Sequence, residues 1–261
     1  MNTMSTITLA YEEFGDSSNQ PLIILHGFFA SSRNWRQIAK KLADYYHIYV
    51  IDLRNHGLSP HQSEMDYPTM AADIHSFMDL HDLETANILG HSMGGKIAMW
   101  FALNHPHRLQ NLIVADISPV TYQHSFDQTI QALKAIPLTQ ITNRKQADEH
   151  LSVSIPDISF RQFLLQNLQL NDGQYTWRVD LDIFYHTADN IIGFPDTELR
   201  SNLDDRVLFI MGEKSTYRNQ QAINDFFPKA QVCFLKDAGH WLHVEKPEEF
   251  CTSVINFLNN K

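Results

Sequence analysis

The stretch NILGHSMGGKIAMW, Asn87 to Trp100, runs from apolar residues ending at Leu89 into a helix-like run starting at Lys96, with Ser92 set among glycines at 90, 94 and 95. Ordinary packing does not ask for a hydroxyl among three glycines. A sharp turn from strand to helix does, because chain segments crowd there and a residue without a Cβ makes room. Gly90-His91-Ser92-Met93-Gly94 has GxSxG spacing. With a strand before it and a helix after it, that pattern holds the serine hydroxyl above the sheet edge. It lies at a helix N-terminus whose free N–H groups favour negative charge. His91 is adjacent to Ser92 on the strand end and points away from it, so packing or hydrogen bonding is its expected role.

Outward from this turn, short apolar runs alternate with helical patterns. Leu22 to Gly27, His47 to Leu53, Ala86 to Gly90 and Asn111 to Ile117 are continuous, β-branched and closed by turn residues, the signature of strands buried on both faces. Trp35 to Tyr46, Met70 to Leu80 and Gly95 to Asn104 carry helical spacing between them. Repeated βα units predict an α/β fold with a mostly parallel, doubly wound sheet. From Ser118 to Asp205 the pattern changes. QTIQALKAI, ISFRQFLLQNLQL and VDLDIFYHTA each read as a helix, and no run there reads as a strand of the sheet. Strands return at Arg206 to Gly212 and Gln231 to Asp237, with a final helix after Pro247. The expected organisation is a core of residues 1–117 and 206–261, with a helical cap, residues 118–205, inserted before the last two strands.

Composition narrows the chemistry. The 261 residues are 43% hydrophobic, enough for a large core, and the net charge of -10 offers no basic field for nucleic acid or an anionic membrane. A small-molecule partner fits this balance. The two cysteines, Cys233 and Cys251, have no CxxC spacing, which predicts a reducing, cytoplasmic setting. The N-terminal residues MNTMSTITLAYEEFG lack a basic region before an apolar core, and no apolar run reaches the length of a membrane span. The 14 histidines are scattered, without HExxH or zinc-type spacing, so no metal site is expected. Composition sets no oligomeric state.

A serine hydroxyl is a poor nucleophile at neutral pH and needs a base oriented by an acid. His240 in KDAGHWLHVEKP follows the last predicted strand, the position at which such a histidine is placed, and His243 is its competitor. The acid falls between serine and histidine in chain order. Two strand ends could supply it, Asp116 in IVADISP or Glu213 in the turn Gly212-Glu213-Lys214-Ser215.

Gly90 to Gly94, His26-Gly27, Asp52 to Ser59 and Gly239-His240 together resemble the α/β-hydrolase superfamily along nearly the whole chain. DLRNHGLSP, GHSMGGK, Asp116 to Pro119 and AGHWLHVEKP more closely resemble the YbfF-type bacterial carboxylesterases. The resemblance implies an α/β-hydrolase fold and an acid at Asp116. Many superfamily members carry the acid after the next-to-last strand, where this chain has Ser215. Glu213 stays the alternative. The family's oxyanion loop matches His26-Gly27-Phe28-Phe29, which assigns the Phe28 N–H beside that of Met93. Asp52, Arg54 and His56 are implied to shape a loop under the site, and turn chemistry accounts for Asn55-His56-Gly57 without any reaction.

Phe29, Trp177, Phe184, Tyr185 and Trp241 are expected to line an apolar acyl pocket, which Phe28, Trp35, Met93 and Tyr122 adjoin. The combined expectation is a serine carboxylesterase that works through an acyl-enzyme without a cofactor. Ser92, Asp116 and His240 would form its triad, and the substrate would be a small ester or thioester. Alternatives of the same fold are an acyl-CoA thioesterase, a carbon–carbon bond hydrolase or a non-catalytic ligand-binding protein. Haloalkane dehalogenases and epoxide hydrolases fit poorly, since they carry an aspartate where this chain has Ser92.

Overall fold

The computed structural model describes residues 5–259; positions 1–4 and 260–261 of the expected core lie outside them. The sheet is entered through β1 (Tyr11–Phe14), β2 (Pro21–Leu25), α1 (Arg36–Leu42) and β3 (His47–Ile51). It continues through α2 (Tyr67–Leu80), β4 (Ala86–His91), α3 (Met93–Asn104) and β5 (Leu109–Ala115). After β5 the chain leaves the sheet for α4 (Asp127–Lys134), α5 (Arg144–Ser152), α6 (Ile158–Leu164), β6 (Leu168–Asn171), β7 (Gln174–Trp177) and α7 (Leu181–Ile192). It returns as β8 (Val207–Gly212), α8 (Gln220–Phe226), β9 (Gln231–Leu235), α9 (Leu242–Glu245) and α10 (Pro247–Asn259).

Seven strands pair in the order β1-β3-β2-β4-β5-β8-β9, parallel except for β1, which runs antiparallel along β3. Alternation along each strand explains the continuous apolar runs. Leu22 and Ile24 pack with Trp35, Ile38, Leu42 and Phe250 on one face, while Ile23 and Leu25 pack with Met70, Ile74 and Ile97 on the other. Both faces are covered, so both sets of residues are apolar. From β2 the chain moves to β3 on one side, then to β4 on the other. This reversal opens a crevice beyond the carboxyl ends of β2 and β4, the usual ligand position in an open α/β sheet. Gly27-Phe28 and Ser92 lie at those two ends.

Three elements depart from the sequence reading. The helix expected over Ile158 to Leu170 stops at Leu164, and Leu168 begins a two-stranded hairpin of β6 with β7. Its loop is Asp172-Gly173, both at positive φ (48° and 80°), the type I′ geometry that an Asp-Gly pair favours. The segment between β5 and β8 is therefore not wholly helical, although its hairpin forms a separate sheet. The four-residue β1 was not read from the sequence because YEEF lies on a half-exposed sheet edge and mixes charge with aromatics. Helix α5, RKQADEHLS, lacks the apolar spacing that marks a helix in sequence, since only Ala147 and Leu151 are buried along it.

Candidate active site

Ser92 sits between β4 and α3 at φ 53° and ψ −119°, a left-handed conformation that a non-glycine residue holds only under constraint. The constraint is steric. A Cβ on Gly90 would lie 2.2 Å from the Gly94 carbonyl oxygen, and one on Gly94 would lie 2.3 Å from that of Leu25. The turn thus closes against itself and against the end of β2. A Cβ on Gly27 would come within 3.3 Å of the Ser92 Cβ, so the loop after β2 lies directly on the serine.

That loop is pinned by two histidines. The His26 ring bonds the Gly27 carbonyl through Nδ1 (2.8 Å) and accepts from the Leu53 N–H at Nε2 (3.1 Å). His56 accepts from the Phe29 N–H at 3.3 Å and bonds the Arg54 carbonyl through Nδ1 at 2.8 Å. Burial holds both rings below the usual histidine range, so both are neutral. With the Gly27 carbonyl turned to His26, planarity sends the Phe28 N–H the opposite way. The N–H groups of Phe28 and Met93 meet no acceptor among the described residues.

Beneath this loop Asp52 accepts from the N–H groups of Ser32 (2.6 Å) and Leu58 (2.8 Å). Arg54 meets Asp73 in a buried two-point pair at 2.6 and 2.8 Å. Burial raises the Asp73 carboxyl, against the pull of Arg54. Asp73→Ala would strand the Arg54 guanidinium and should cost about 3–5 kcal/mol of folding stability, measurable by chemical denaturation.

Asp116 follows β5 at φ 50° and is fully buried. Its Oδ1 accepts from the Gly212 N–H (2.8 Å), and its Oδ2 accepts from the Ser215 hydroxyl (2.5 Å) and lies 2.8 Å from His240 Nδ1. The structure therefore joins Asp116 to His240 and makes Ser215 a support for that aspartate. Glu213 is exposed and accepts from the Asp237 N–H at 3.0 Å. The Tyr217 ring stacks on His240 at 4.2 Å, and His91 Nε2 bonds the His240 carbonyl at 2.9 Å. Burial first, then the neighbouring His240, pushes His91 down to about 3, so it is a neutral donor. Nε2 of His240 has no partner among the described residues. His243 is buried, stacked on Trp35 at 4.2 Å, and its Nδ1 is unpartnered among the described residues.

A small cavity lies against Ser92, ≈ 20 Å³ counted as space open to the centre of a water molecule. Phe28 and Met93 line it with Tyr67, Lys96, Ile117, Tyr122, His124, Phe126, Ile191, Ile192 and Tyr217. The five residues expected from sequence do not line it. Phe29 and Phe184 are buried with Phe28, their rings 4.4 and 4.5 Å from it. Tyr185 is 39% exposed beneath Lys134, Trp177 is half-buried in β7, and Trp241 packs on Phe163 at 4.5 Å. Periodicity puts these residues near the site but cannot say which ring faces inward. Lys96 did carry a readable signal, a lone cation in the otherwise apolar helix GGKIAMWFA.

Lys96 Nζ donates to the carbonyls of Ile192 (2.7 Å) and Gly193 (2.6 Å) at the end of α7. It lies 4.8 Å from the Tyr122 ring centroid and 5.7 Å from that of Tyr67. Burial lowers the ammonium to about 7. Among the described residues no cluster of histidine, cysteine and carboxylate side chains could hold a metal. No described helix is long and apolar enough to cross a membrane.

A serine on a strained strand-to-helix turn, facing the strand reversal of a parallel sheet, defines a hydrolase of the α/β class. Residues 20–247 match the family described as alpha/beta hydrolase fold, and the chain belongs to that family. It is 37% identical over 270 residues to the sn-1-specific diacylglycerol lipase ABHD11 of Danio rerio, covering 99% of this chain and 84% of that protein. It is 32% identical over 247 residues to esterase YbfF of Escherichia coli (strain K12), covering 93% and 94% respectively. Among solved structures, a marine microorganism esterase superposes with a TM-score of 0.92 at 38% identity, covering 97% of this chain and all of that one.

Proposed function

We propose that the protein is a serine carboxylesterase that hydrolyses esters of short acyl groups through an acyl-enzyme. The observation that carries this reading is the buried Asp116 bonded to His240 Nδ1, with Nε2 of that ring unpartnered among the described residues and the His240 carbonyl bonded by His91, the residue before the strained Ser92. Ser92 Oγ attacks the ester carbonyl while His240 Nε2 takes its proton. The N–H groups of Phe28 and Met93 receive the charge that develops on the carbonyl oxygen. The His240 proton then passes to the departing alkoxide, and water repeats the sequence on the acyl-enzyme. Asp116 holds the ring with Nδ1 protonated and stabilises the imidazolium. The serine–histidine contact tightens when substrate binds, as in many apo sites. Residues 118–205 act as a lid that bounds the acyl pocket, and the cysteine pattern supports a reducing compartment.

Turnover across p-nitrophenyl esters of increasing chain length, beside acyl-CoA thioesters, tests the assignment. The apolar residues round Ser92 leave little free space, so acetate to butyrate esters should be preferred over hexanoate. Phe126→Ala or Ile191→Ala should raise the hexanoate-to-acetate ratio of kcat/KM by roughly tenfold or more, the value of about one freed methylene. Equal rates from acetate to palmitate in the unaltered enzyme would show that the acyl group binds elsewhere.

The Ser215 hydroxyl gives Asp116 one of its three hydrogen-bond contacts. Ser215→Ala should lower kcat by about tenfold, as expected for losing one hydrogen bond to a charged group, with little change in KM.

A further inference from the structure

The lysine one helical turn beyond the nucleophile has no counter-charge. Lys96 is 1% exposed and lines the cavity that Ser92 opens into. Its backbone N–H bonds the Ser92 carbonyl at 3.1 Å, which fixes it on the face of α3 that follows the serine. Among the described residues no carboxylate lies within ion-pair reach of Nζ, so its protein acceptors are the two uncharged carbonyls at the end of α7. In its charged form, which a bound anion favours, the ammonium has three donor positions, which leaves one beyond those two carbonyls. The Tyr67 and Tyr122 rings flank the charge, and Ile117, Ile191 and Phe126 keep the surroundings apolar.

A buried ammonium without an anion is costly, and a lysine serving only to cap α7 could make the same two bonds from an exposed position. We propose that Lys96 is a specificity-determining residue that receives a carboxylate at the far end of a short acyl group, so that the preferred substrates are half-esters of short dicarboxylic acids. This deepens the esterase reading and rests on it. The carboxylate supplies the missing counter-charge and takes the remaining N–H. The scissile carbonyl then lies at Ser92, which borders the same cavity as Lys96. Because Ser92 and Lys96 line one small cavity, the chain between the two ends is short.

The test compares monoethyl succinate with ethyl 4-methylpentanoate, which has the same shape but two methyl groups in place of the carboxylate oxygens, by release of ethanol. In the unaltered enzyme the ratio of kcat/KM, half-ester over neutral ester, should exceed one by tenfold or more, the value of a charge-assisted hydrogen bond. In Lys96→Met and Lys96→Gln that ratio should fall below one. A ratio below one in the unaltered enzyme overturns the proposal without recourse to any variant. Equal losses on both substrates in the variants also overturn it and leave Lys96 as a cap of α7. Turnover of the neutral ester with fluorophosphonate labelling of Ser92 shows whether the esterase reading stands. If both are absent, that reading fails rather than the specificity alone.

Discussion

Replacing Ser92 by alanine is expected to lower kcat by about 10⁶-fold, the scale seen when the nucleophile of a serine hydrolase is removed. The nearby groups cannot take over. His91 is neutral and engaged with the His240 carbonyl, and Lys96 is engaged with the end of α7. Residual rate would come only from the oxyanion donors and from binding. The same serine should be the single site of attack by an alkyl fluorophosphonate, with the adduct in the peptide containing Gly90 to Gly94 and activity lost in proportion. A folded Ser92→Ala enzyme with full activity, or an adduct on another serine, would remove the acyl-enzyme mechanism.

The second large effect is expected at Asp116. Asparagine keeps the shape and tolerates the left-handed backbone at this position. Its Oδ1 can still accept from the Gly212 N–H. An amide nitrogen in place of Oδ2 cannot accept from His240 Nδ1, so the imidazole turns to the tautomer whose Nε2 already carries a proton. That ring cannot take one from serine. The corresponding change in serine proteases lowers kcat by about 10⁴. Asp116→Asn should therefore lose about two to four orders of magnitude in kcat with a modest change in KM. Glu213→Gln should stay within a few-fold, because its carboxylate meets the Asp237 N–H instead of His240. The opposite ranking in folded variants would move the acid to Glu213 and leave the nucleophile and base in place.

What was readable in the sequence was what local chemistry decides. A serine among glycines at a strand end identifies the turn because only missing Cβ atoms permit so close an approach, and the apolar runs around it imply a sheet covered on both faces. The choice between Asp116 and Glu213 needed the resemblance, because both stand at strand ends between Ser92 and His240. That His240 meets Asp116, while Glu213 meets the Asp237 N–H, appears only once the strands are packed. Ser215 reads in sequence as a missing acid, and its hydroxyl instead supports Asp116. The cavity beside Ser92 was least legible. Its walls depend on how α7 and the 117–126 loop close over the sheet, and sequence spacing gives the face of one helix, not its docking against another. The hairpin after α6 was readable through Asp172-Gly173, a turn signal overridden by the apolar spacing before it.

Asp116 stands where the chain leaves the sheet, and the loop after β8 is stitched to that exit. The Ser118 hydroxyl donates to the Tyr217 carbonyl (3.0 Å) and accepts from the Asn219 N–H (2.8 Å), and the Tyr122 hydroxyl also reaches the Tyr217 carbonyl (2.6 Å). Chimeras made by exchanging the segment between β5 and β8 among members of the family therefore have a natural seam. A foreign segment spliced inside residues 123–203 leaves the Asp116–Ser118 and Ser215–Asn219 clasp with its native partners. A splice at residue 117 keeps the Gly212 and Ser215 bonds to Asp116 but removes Ser118 and Tyr122, the residues that tie the exit to the loop after β8.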